Sequence, residues 1–105
     1  MREKARSFEL EDVLAEIGGD EYFNDFLRIG HLEAGVLRLR PGEEDTQTPH
    51  DTDELYYIIQ GKGQLKVGNE HMAVKQGSIV FVPAKMLHRF YGNKDLLVVL
   101  YVFAE

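Results

Sequence analysis

The sequence predicts an all-β fold, a sandwich or barrel of short strands. Three observations carry that reading. Short runs rich in β-branched and aromatic residues recur from about residue 22 to 103. Glycines punctuate those runs at Gly30, Gly35, Gly61, Gly63, Gly68 and Gly77. Helical periodicity is confined to one stretch near the N-terminus.

That stretch holds Leu10, Val13, Leu14 and Ile17, which fall on one face of a helix. Ser7 is placed to cap its start, Glu9 and Glu11 suit the positive end of the dipole, and Gly18-Gly19 ends it. A short amphipathic helix from about Phe8 to Ile17, packed outside the β-structure, is expected; residues 1–7 are charged and expected to fray. Residues 22–40 contain one or two strands, broken near Gly30 and Gly35. Glu54–Ile59 is the next strand, ended by Gly61-Lys62-Gly63. Gln64–Val67 and Glu70–Val74 flank Gly68-Asn69, a two-residue hairpin turn. Ser78–Val82 follows Gly77, and Pro83 starts a bend before His88. The last run, Leu96–Phe103, is apolar without alternation, so both its faces should be covered. The outer cover is either the N-terminal segment or a second subunit. A homodimer is the expectation, with Val99 on the outer face.

The chain has 105 residues, enough for one domain with a real core and little room for a second site. Hydrophobic residues make up 44%, as in a folded globule. There is no cysteine, so disulfides and thiolate chemistry are excluded, and a metal must take His, carboxylate or neutral oxygen ligands. The formal net charge of −6 argues against nucleic acid as the main partner. No leader-like segment and no apolar run of spanning length is seen, so no membrane association and a cytoplasmic location are expected. Glu43, Glu44, Asp45, Asp51, Asp53 and Glu54 crowd into a dozen residues. Apart from Glu54 they read as a solvated acidic loop, or else as a rim that attracts cations.

His50, Glu54 and His88 are the residues that point to chemistry. Two imidazoles and a carboxylate hold a divalent transition metal on one face and leave other positions open. A lone histidine in an apolar strand is more often a hydrogen-bonded core residue than a ligand; the conjunction makes the argument. If residues 48–58 are extended, Thr48, His50, Thr52, Glu54, Tyr56 and Ile58 share a face. His88 would then arrive from a facing hairpin, and Tyr56, Phe81, Phe90 and Thr48 would line the pocket. Gln47 is a possible weak oxygen ligand. Arg38 points away from the core if Leu37 and Leu39 face it, or into the barrel as a carboxylate clamp in the other register. Lys85 and Arg89 flank His88 as solvated charge or as cations at the pocket mouth. His31 and His71 have no ligand spacing and read as exposed or capping residues.

The spacing of these residues resembles the cupin family. Its first motif is Gly, five residues, His-x-His, three or four residues, Glu, six residues, Gly; Gly42, Thr48, His50, Glu54 and Gly61 match in spacing. Its second is Gly, five residues, Pro-x-Gly, two residues, His, three residues, Asn; Gly77, Pro83, Lys85, His88 and Gly92 match in spacing. Thr48 stands where the family has its first His, Lys85 where it has Gly, and Gly92 where it has Asn, with Asn93 directly after. The resemblance covers residues 35–103, with 1–34 as a helix and lead-in strand of the same domain, and implies an antiparallel double-stranded β-helix, the jelly-roll barrel. It also implies one divalent ion, Fe, Mn, Ni, Cu or Zn, on His50, Glu54 and His88. The Thr48 departure leaves an open coordination position, a contact through water, or a site without metal. Three functions follow: a metal-dependent dioxygenase or isomerase acting on a small organic molecule, a non-catalytic binding or sensor module, and a remnant fold without metal.

Overall fold

The computed structural model describes residues 4–104. Residues 1–3, part of the segment expected to fray, lie outside the described residues, and residues 4–7 carry no regular structure. One helix, α1 (Leu10–Ala15), precedes the strands β1 (Phe23–Ile29), β2 (Leu32–Leu39), β3 (Asp53–Gln60), β4 (Lys62–Val67), β5 (Glu70–Lys75), β6 (Ile79–Val82), β7 (His88–Tyr91) and β8 (Leu97–Ala104). The helix is shorter than its periodicity predicts. It starts at Glu9, which caps without a side-chain bond, so Ser7 is not the N-cap; it ends after Ala15, where the Ile17 N–H donates to the Leu14 carbonyl at 3.1 Å. None of the described helices is long and apolar enough to cross a membrane.

All strand pairs are antiparallel. They form a five-stranded sheet, β1-β2-β8-β3-β6, facing a three-stranded sheet, β5-β4-β7. The break in residues 22–40 falls at Gly30-His31 alone, while Gly35 lies inside β2. The turn at Gly68-Asn69 is the expected one, with Gly68 at φ +59 where a side chain is strained. Strand β4 resumes at Lys62, directly after Gly61, whose φ of +87 turns the chain at once.

Period-2 alternation sorts the side chains. Leu37, Leu39, Tyr56, Ile58, Leu65, Val74, Val80, Val82, Phe90, Leu97, Val99, Tyr101 and Phe103 fill the space between the sheets. Val99 therefore faces the barrel interior, not the outside. The unbroken apolar run of β8 has a simple cause. Its alternate residues Val98 and Leu100 lie under α1, where Val13, Val36 and Val98 form a second cluster with Leu14 and Phe26. The N-terminal segment is thus one outer cover of β8. Arg38 points outward beside that cluster, on the face opposite Leu37 and Leu39, which removes the carboxylate-clamp alternative.

Candidate metal centre

Glu54 enters the barrel from β3, paired opposite Val82 of β6 and Phe103 of β8, and is buried with Tyr56 and Ile58 on the same face. His88 opens β7 and points inward with Phe90, while Arg89 points out. His50 comes from an irregular segment, since residues 40–52 form no strand. The expected extended face therefore begins only at Asp53, yet His50 still reaches the site. Two hydrogen bonds hold it there: the Lys85 N–H donates to the His50 carbonyl at 2.6 Å, and the Ala84 N–H donates to Asp53 Oδ1 at 2.9 Å. The bend after Pro83 is thereby tied to the segment carrying His50. Lys85 holds the left-handed conformation, φ +65, that a glycine would adopt there.

The ligand atoms of His50, Glu54 and His88 lie within 4.8 Å of one another. Their chemistry is unusual for a dry interior. His88 Nδ1 lies 2.8 Å from the Met86 carbonyl, which only accepts, so Nδ1 carries a proton and Nε2 faces inward. His88 Nε2 lies 3.2 Å from Glu54 Oε1, and it, His50 Nε2 and both Glu54 oxygens are buried without a hydrogen-bond partner. Four polar atoms thus converge, each buried without a hydrogen-bond partner, an arrangement that costs several kcal/mol unless a cation or proton joins it. Burial opposes protonation of His88, but Glu54, the Met86 carbonyl and Asp45 outweigh it and raise its pKa above 6.5. The residues present therefore fit a divalent ion: two imidazoles and a carboxylate, with one imidazole oriented from behind by a carbonyl.

The surroundings differ from the expected lining in three ways. Tyr56 and Phe90 do stand beside the cluster, Tyr56 edge-on to His88 at 5.9 Å and to Phe90 at 4.8 Å. Phe81 does not. It is 56% exposed, because alternation along β6 turns Val80 and Val82 inward and Phe81 out. Phe103 takes its role, with its ring centroid 4.2 Å from that of His50. Gln47 is engaged at both ends of its amide, donating to Asp45 and accepting from the Tyr56 hydroxyl at 3.2 Å, which speaks against a ligand role. Asp45 is buried, not solvated with the rest of the acidic run. It accepts from the Phe90 N–H at 2.8 Å, from Gln47 and from the Tyr22 hydroxyl. No local signal separates Asp45 from its acidic neighbours, and none marks the face of Phe103 in the unbroken apolar run of β8.

Thr48 and His50 open onto a cavity of about 360 Å³ whose walls include Leu37, Tyr101, Phe103 and Asp25. Lys85, Arg89 and His31 are exposed, and His71 pairs with the Tyr91 hydroxyl on the outer surface.

The profile of the cupin domain matches residues 35–103. An uncharacterized protein of Streptomyces coelicolor is 36% identical over 100 residues, covering 94% of this chain and 95% of its own. A 5-nitrosalicylic acid 1,2-dioxygenase of Bradyrhizobium is 38% identical over 68 residues, 63% of this chain but 33% of the dioxygenase. Among solved structures, a double-stranded β-helix protein of Klebsiella pneumoniae superimposes with a TM-score of 0.83 at 18% identity, covering 96% of this chain and 90% of its own. At that identity the likeness speaks for the fold alone.

Proposed function

This chain belongs to the cupin family, and on that premise we propose that it is a small metalloenzyme that holds one divalent ion on His50, Glu54 and His88 and oxidises a small organic molecule in the adjoining cavity. The observation that carries the reading is the set of four converging polar atoms of His50, Glu54 and His88, each buried without a hydrogen-bond partner. A metal ion there supplies Lewis acidity and, if it is iron, oxygen chemistry. The chain's own residues do the rest. Glu54 and the two imidazoles would hold the ion, and His50 together with Thr48 lines the cavity where the ligand would sit. Tyr56, Phe90 and Phe103 keep water from the inner side of the site. The likeness to a dioxygenase across the motif region supports oxidation; an isomerase relative, a mannose-6-phosphate isomerase of Arabidopsis thaliana, matches a shorter stretch, 41% of this chain.

Self-association belongs to the same reading. Leu55 and Tyr57 of β3 and Phe81 and Ile79 of β6 pair directly and lie exposed on one outer face, a surface suited to a second copy of this chain.

The test is anaerobic loading with Fe(II), followed by oxygen-uptake measurements against a panel of small phenols and diketones. Wild type should consume oxygen with at least one member and His88→Ala with none. Equal uptake by wild type and His88→Ala would count against the reading.

A further inference from the structure

The cavity that Thr48 and His50 line also carries charge that the metal site does not use. At the mouth, Asp25 and Arg28 of β1 and Glu33 of β2 line the cavity together with Tyr101. Tyr101 reaches Asp25 because it lies across β2 at Gly35: a Cβ there would stand 2.2 Å from the tyrosine oxygen. Its hydroxyl donates to Asp25 Oδ1. Arg28 donates to Asp25 Oδ2 at 3.1 Å and contacts Glu33 Oε1 at 3.3 Å.

One guanidinium between two carboxylates leaves one net negative charge. Depth matters as much as the count. The Arg28 side chain is 70% exposed, whereas those of Asp25 and Glu33 are 25% and 23% exposed. The cation therefore sits in solvent at the rim with its fork already engaged, and the carboxylates stand further in. Each carboxylate offers about four acceptor sites, so Asp25 keeps acceptors to spare. Burial, followed by the bond to Asp25, raises the Tyr101 pKa, which keeps the phenol a donor to Asp25.

We infer that the ligand of this cavity is a small neutral or cationic molecule whose outward end is a hydrogen-bond donor, a hydroxyl or an amine, and not a carboxylate, with Asp25 as the residue that selects it. The inference rests on the metal-site reading for the orientation of the ligand. An anionic end would meet two inner carboxylates before the engaged Arg28, an electrostatic cost in a partly shielded site. A donor would find Asp25 open.

The test uses protein loaded with zinc, which is redox-inert, and three probes that share a metal-chelating catechol head: dopamine, hydroxytyrosol and 3,4-dihydroxyphenylacetate. They differ only in a distal ammonium, hydroxyl or carboxylate. Calorimetric titration should rank the amine and the alcohol at least ~10-fold tighter than the acid. Asp25→Asn, which keeps the Tyr101 contact, should remove most of that preference; Glu33→Gln is the second variant should the first fail to fold. An acid that binds as tightly as the amine, a preference unchanged in Asp25→Asn, or no binding of the amine and alcohol overturns the inference. Zinc content, counted separately, reports on the metal reading. If no zinc binds, that reading fails and takes with it the orientation on which the inference rests; zinc-loaded protein that shows no preference overturns the inference alone.

Discussion

Two residues set how the site responds to protons and to strain. His88 faces Glu54 across 3.2 Å with its back nitrogen held by Met86, so without metal the pair is relieved by a proton on His88. Its folded pKa is raised above 6.5, so its contribution to metal-free stability is full below that value and is lost as pH rises through the folded pKa. Thermal melts of metal-free protein should show a higher Tm near pH 6 than near pH 8 from this group. Metal competes with that proton, so affinity should fall as pH is lowered through the raised pKa, and the Tm gain on adding metal should be larger near pH 8. A Tm gain independent of pH would contradict this. Lys85 holds φ +65 at an exposed bend. Lys85→Gly should stabilise the fold by roughly 0.5–1 kcal/mol, read as a higher urea midpoint with an unchanged slope. A lower midpoint would show that the lysine side chain contributes something its exposure does not reveal.

At the scale of elements, the site depends on pinning an irregular segment, residues 40–52, against β7. Asp45 does this through the Phe90 N–H, Gln47 and Tyr22. Asp45→Ala leaves the buried Phe90 N–H unpaired and should cost ~1–3 kcal/mol by denaturant unfolding, with weaker metal retention because β7 also carries His88. A loss below ~0.5 kcal/mol would mean that the segment is held otherwise. Much of this level was legible in the sequence. Glycine spacing and β-prone runs located the strands, and motif spacing brought His50, Glu54 and His88 together across an interval of 38 residues from first to last. What was not legible depended on partners distant in sequence. Asp45 looks like its acidic neighbours until Phe90, 45 residues on, supplies a buried N–H. Phe81 and Val99 were misassigned because an apolar residue in a strand does not declare its face; only the pairing register does.

For the whole molecule, the covering of the five-stranded sheet decides assembly. The N-terminal helix shields Val98 and Val36, but Leu55, Tyr57, Phe81 and Ile79, the last 71% exposed, remain on paired strands reaching the edge strand β6. Sedimentation should find a dimer at micromolar concentration, and Ile79→Lys with Phe81→Lys should give a folded monomer. A wild-type monomer would contradict the dimer. The divalent ion proposed for His50, Glu54 and His88 is simpler to reach. Elemental analysis of the native protein, purified without chelator and counted per chain, tests it most directly. The account expects about one equivalent of a first-row transition metal in wild type, most of it lost in His50→Ala and in His88→Ala. No metal in wild type even after soaking in excess, or the same metal count in His88→Ala, would contradict it.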